Sequence, residues 1–90
     1  MQVLDNAMPP TKRKAELLTG RATRQIVRRG SGGEHEAVVL RIKGGDWLIL
    51  QRRGGNPFSD PKTAALVGHR VEVKGFRVGD VFRYFEAVTY

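Results

Sequence analysis

Few side chains in this 90-residue chain could carry covalent chemistry. There is no cysteine, which excludes disulfides and thiolate metal sites. His35 and His69 are far apart in sequence. Each stands beside charged residues and outside any His-x-x-His spacing, so no zinc site is expected. Ser31 lies among glycines without the pattern of a nucleophile elbow. Gly30-Ser31-Gly32-Gly33 lacks the Lys-Ser/Thr with which a phosphate-binding loop holds its ligand and Mg²⁺. Asp46 and Asp80 follow turn glycines and Asp60 precedes a proline, so turn and capping roles account for them. The residue types therefore predict no catalytic group, no cofactor and no metal. They describe a binding protein, not an enzyme.

The cations remain. The net charge is +7, and most of it is concentrated. Between Lys12 and Arg29 lie seven Lys or Arg residues against the single acid Glu16. A basic arm on a near-neutral body suits a polyanion such as nucleic acid, or an anionic membrane surface. The plainer alternative is a solubilising tail. Further along, Arg41, Lys43, Arg52 and Arg53 are interleaved with apolar residues, so their use depends on which strand face carries them.

Residues 1–14 read as a flexible basic tail, because Pro9-Pro10 resists helix and sheet and apolar residues there have no period. They hold no basic n-region followed by an apolar run, so no signal peptide is expected. No stretch approaches the ~18 apolar residues of a membrane span. These features predict an intracellular, cytoplasmic protein with one domain over residues 15–90 and no membrane partner.

The spacing predicts a first strand over Glu16–Arg28, with Thr19, Thr23, Ile26 and Val27 favouring extended backbone and Gly20 marking a bend. An amphipathic helix through Leu17, Leu18, Ala22, Gln25 and Ile26 competes, weakened by Gly20 and the threonines. The glycine-rich Arg29–Glu34 is a loop. A second strand is predicted over His35–Lys43 and a third over Asp46–Arg52, joined by Gly44-Gly45 as a two-residue primed turn. That turn would pair Ile42 with Trp47 and Leu40 with Ile49. It would place Val38, Leu40, Ile42, Trp47 and Ile49 on the core face, and Val39, Arg41, Leu48, Leu50 and Arg52 on the other. Asp60-Pro61 opens a helix of about seven residues, with Asp60 as N-cap. Strands over His69–Val78 and Val81–Thr89 follow, with Gly79-Asp80 between them.

Leu66–Gly75 reads Leu-Val-Gly-His-Arg-Val-Glu-Val-Lys-Gly, a helix end at Gly68 followed at once by a period-two strand. This Leu-x-Gly-x-x-Val-x-Val-x-Gly run resembles the join between the connecting helix and strand 4 of an OB-fold. The resemblance covers about Leu17–Tyr90 and is to the superfamily. It implies an all-β chain with one short helix: a five-stranded antiparallel Greek-key barrel with the helix between strands 3 and 4. An SH3-like barrel shares much of the pattern but normally lacks that helix.

The resemblance also implies a ligand, most often an oligonucleotide. Single strands cross the outer face of strands 2 and 3 of such barrels, stacking bases on aromatics and setting phosphates against Lys and Arg. The expected binding residues are Arg41, Lys43 and Arg52 on that face, Arg28 and Arg29 leading into the loop beside it, and Arg53 leading out. Phe58 and Tyr84 are the candidate stacking residues. The expected partner is single-stranded DNA or RNA, bound with little sequence preference. The alternative is a protein partner or a homodimer, held through an apolar patch of Val39, Leu48 and Leu50.

Overall fold

The computed structural model describes residues 14–27, 33–56 and 59–90. The elements are β1 (Glu16–Val27), β2 (His35–Arg41), β3 (Trp47–Arg52), α1 (Pro61–Ala64), β4 (Arg70–Val78) and β5 (Val81–Thr89). The described residues are mostly β, with five strands and one short helix between β3 and β4. No described helix is long and apolar enough to cross a membrane.

The helical alternative for the first segment does not occur. β1 is extended for 12 residues and takes part in two pairings. Glu16–Arg21 pairs with β4, and Arg21–Val27 pairs with β2. The strand changes partners beside Gly20. There the backbones approach so closely that an added Cβ would run into the Arg41 carbonyl oxygen. Gly75 has the same role in β4. The β4–β5 register shifts between Lys74 and Gly75, and a Cβ on Gly75 would run into the Arg83 carbonyl.

The strands close on themselves in the order β1-β2-β3-β5-β4. The expectation of an all-antiparallel sheet is corrected here, because β3 and β5 run parallel. The reason is parity. Antiparallel neighbours alternate in direction, and an odd number of strands cannot alternate all the way round a closed ring. At least one pair must be parallel. It falls where the chain leaves β3, passes through α1 and returns two strands later.

α1 starts as expected. Asp60 is extended (φ −130°, ψ 110°) and its carboxylate accepts from the Lys62 amide at 3.2 Å. The helix then runs for only 4 residues, shorter than expected. Beyond it the bonds tighten to i→i+3, from the Leu66 amide to the Thr63 carbonyl (3.0 Å) and from Val67 to Ala64 (3.2 Å). A helix this short gains little from propagation, and the chain must turn at Gly68 (φ 89°) to rejoin the sheet. The Gly68 amide donates to Ala22 O at 2.8 Å, and the Ala22 amide to His69 O at 3.1 Å. Leu66–Gly75 is thereby stitched to the middle of β1.

The β2–β3 register departs from expectation by one residue. Val39 lies opposite Ile49, Leu40 opposite Leu48, and Arg41 opposite Trp47. The Ile42 amide donates to Asp46 O at 2.9 Å, so the loop holds three residues, Lys43-Gly44-Gly45, and not two. Both glycines have positive φ, 95° and 88°. A one-residue slip exchanges the faces of β3. Leu48 and Leu50 therefore enter the main core, with Ala22, Leu40, Val71, Val73, Phe82 and Tyr84. Trp47 and Ile49 turn to the outer face, where Ile49, Val39 and Val27 form a second apolar cluster that Trp47 packs against. The main core carries the larger hydrophobic stabilisation, of order 1.5–3 kcal/mol for each fully buried large side chain.

Candidate functional site

The middle of β1 and the ends of β2, β3 and β4 bring basic residues into one row. Arg21 in β1 lies opposite Arg41 in β2 on one side and Arg70 in β4 on the other. Arg41 in turn lies opposite Trp47 in β3. Their chain neighbours Ala22, Leu40, Leu48 and Val71 are buried, so all four row members point outward. The three arginines are exposed and Trp47 is half-buried. The row runs across the strands for about 14 Å, at ~4.8 Å per strand.

Like charges directly opposite one another destabilise a sheet. Little within the described residues offsets these. Arg21 Nη1 donates to Gly68 O at 3.0 Å, and Arg41 Nη1 approaches Gln25 Oε1 at 3.5 Å. Both acceptors are neutral. Among the described residues, other arginines do find acids: Arg24 pairs with Glu36, Arg52 with Asp60 and Arg77 with Glu16. The row is a set of cations with in-plane N–H donors left free and an aromatic ring at its end. Such a set can hold phosphates and stack a base.

The expected site residues separate in the structure. Arg41 is exposed on the outer face, as expected, and Lys43 is exposed in the hairpin loop beside it. Arg52 lies elsewhere. The register correction turns it from the outer face, opposite Tyr84 in the parallel pair. Its Nε donates to Asp60 Oδ2 at 2.7 Å and its Nη2 to Asp60 Oδ1 at 3.3 Å. Asp60 also accepts from Thr63 Oγ1 at 3.0 Å. The Arg52 guanidinium foremost holds the Asp60 carboxyl below its ordinary range. Burial works against this, while Thr63 and the Lys62 amide reinforce it. Arg53 is exposed, with its guanidinium 5.0 Å from the Phe85 ring centroid.

Tyr84 is corrected as a stacking residue. It is buried in the main core, with its hydroxyl 2.6 Å from Thr63 Oγ1, and burial pushes its phenol pKa up. The apolar patch is corrected as well. Leu48 and Leu50 are buried in the main core and Val39 is fully buried in the outer cluster, so the three do not form a surface. Arg28, Arg29, Phe58 and residues 1–13 of the tail lie outside the described residues.

Sequence reasoning missed Trp47, Arg21 and Arg70 as members of one row with Arg41. The signal for Trp47 was present, since a three-residue loop ending on glycine is also a common hairpin. Arg70 falls on the polar phase of a period-two strand, and nothing local to it points to Arg21.

No family model matches this chain, and no curated protein or solved structure matches it.

Proposed function

We propose that the protein is a small OB-type barrel that binds single-stranded nucleic acid, DNA or RNA, across its outer face with little sequence preference. The observation that carries this reading is the row Arg70–Arg21–Arg41 ending on Trp47. Three exposed arginines placed side by side are unfavourable unless a polyanion joins them. An aromatic at the end of the row suits a base, because every base has a π-face and stacking is tolerant of sequence. Five strands and a single short helix between β3 and β4 are in keeping with what the OB resemblance implies, apart from the parallel β3–β5 pair. The Trp47 side chain on β3 supplies the aromatic that the sequence reading lacked on this face.

Trp47 is the single tryptophan of the chain, so it reports on its own site. Titration with a short oligothymidylate should quench its fluorescence. Affinity should fall linearly on a log–log salt plot. Unchanged Trp47 emission at saturating, independently measured binding would remove the outer face from the reading.

A further inference from the structure

A second cationic place lies at the other end of β3, in a cleft of ≈ 420 Å³ lined by Arg52, Arg53, Lys62, Tyr84, Phe85 and Leu66. It is separate from the arginine row. Trp47 opens β3 and Arg53 follows its last residue, about 20 Å away at ~3.3 Å per residue. The lining residues are already differentiated by their bonds. Arg52 is committed to Asp60, and the Tyr84 hydroxyl is committed to Thr63. Among the described residues, neither Arg53 nor Lys62 has a carboxylate partner.

The contact of Arg53 with Phe85 matters most. Its guanidinium carbon lies over the Phe85 ring, 5.0 Å from the centroid, and that ring packs against Phe76 with centroids 6.0 Å apart. A cation–π contact restrains a guanidinium without using up its charge. A restrained arginine with N–H donors to spare is suited to two oxygens of one phosphate. Lys62 adds a mobile point charge on the α1 side. The volume exceeds what a bare anion fills and falls within the usual range for small-ligand sites. The outer ring and stem surfaces of Phe85 and Leu66 offer apolar contact to the rest of such a ligand.

We infer that this cleft binds a nucleoside monophosphate group, its phosphomonoester held by Arg53 and Lys62. The inference rests on the nucleic-acid reading for the nucleoside and for the source of the group, which is a free nucleotide or the phosphorylated end of a strand. A phosphomonoester carries about −1.5 to −2 charges near neutral pH, against one for each internal phosphodiester, so two unpaired cations favour an end group over the backbone.

The test is a titration of the full ¹⁵N-labelled chain with adenosine 5′-monophosphate and with adenosine, followed by amide shifts. Saturable shifts at Arg53, Lys62 and Phe85 with the monophosphate, absent with adenosine, are expected. Arg53→Gln combined with Lys62→Gln should weaken them by about tenfold or more, with the spectrum otherwise unchanged. Equal shifts with adenosine, none at these amides with the monophosphate, or unaltered affinity in the double variant would each overturn the inference. A second arm compares oligothymidylate with and without a 5′-phosphate. Stronger shifts at the same amides with the phosphorylated strand assign the group to a strand end. A response to the free nucleotide alone assigns it to a small ligand. Trp47→Leu tells the two sites apart: it should weaken strand binding on the outer face and leave the monophosphate titration unchanged.

Discussion

Tyr84 Oη and Thr63 Oγ1 lie 2.6 Å apart in the wall between α1 and β5, and the direction of that bond is fixed by its neighbours. Thr63 has one hydroxyl proton, and it goes to Asp60 Oδ2 at 3.0 Å. Tyr84 must then donate to Thr63. Bonds run from Tyr84 through Thr63 to Asp60, where Arg52 enters from the other side at 2.7 Å. This chain of bonds ties the short helix to β3 and β5.

The two ends of the hydroxyl pair should respond unequally. Tyr84→Phe removes a donor but leaves Thr63 bonded to Asp60, so the loss should be about 1 kcal/mol. Thr63→Val strands a buried phenol and takes a bond from Asp60. Its cost should be larger, about 2–3 kcal/mol, because an unsatisfied buried group loses its full solvation. Urea denaturation of the two variants compares them directly. Equal losses would show that the direction of the bond is wrong.

Asp60 should make stability depend on pH in the acid range. Its folded pKa is depressed by Arg52 first, with Thr63 and the Lys62 amide contributing, so the folded state binds the proton less readily than the unfolded chain. A depressed carboxyl contributes stability that is complete above its unfolded pKa, about 3.9, and is lost as pH falls through the folded value. Asp60→Asn should therefore be less stable than the wild type near neutral pH, with the gap closing below about pH 4. Thermal melts from pH 7 down to pH 2 measure that gap. A gap constant across the range would show that Asp60 acts as a cap and not through its charge.

The β2–β3 hairpin separates what the sequence could and could not state. The strand positions, the Asp60-Pro61 start and the Gly68 turn all follow from local chemistry and stand within one or two residues of expectation. The face assignment of β3 depends on a single count, the number of residues in the Lys43–Gly45 loop. Two and three residues are both compatible with Gly44-Gly45. The tertiary context decides between them, because the closed core takes Leu48 and Leu50 while Trp47 is accommodated at the outer cluster. That one pair must be parallel was a matter of parity, legible once closure was assumed, whereas its place between β3 and β5 depends on the strand order. The Arg70–Arg21–Arg41 row was not legible. It exists only because β1 changes partners beside Gly20 and brings β2 and β4 to the same residue.

That register makes a mutational comparison decisive. Leu48→Ala should cost about 2–5 kcal/mol, the range for truncating a buried leucine. Trp47→Leu should cost less, since Trp47 is half-buried and leucine retains much of its contact with Val39 and Ile49. Denaturant midpoints at constant m-value provide the measurement. A larger loss at Trp47 than at Leu48 would restore the two-residue turn and return the indole to the core.

The arginine row makes the most specific functional prediction, and its control is the basic tail. Arg52 is unsuitable for the test because its removal would strand Asp60. Arg21 is unsuitable too, since it donates to Gly68 O at the join of β1 and the α1 turn. Arg41→Gln and Arg70→Gln leave both of those bonds in place and remove two charges from the row. If two phosphates lie there, the double variant should bind oligothymidylate more weakly. Its log affinity against log salt should flatten by about 0.7 for each lost contact on a single strand. The same substitutions should raise stability slightly, because they relieve like-charge pairs across two strand boundaries. Functional loss together with a stability gain distinguishes a binding surface from a structural one. Deleting residues 1–14 supplies the comparison. A salt slope that changes only with the deletion would move binding to the tail. A slope unchanged in both variants would sink the outer-face proposal.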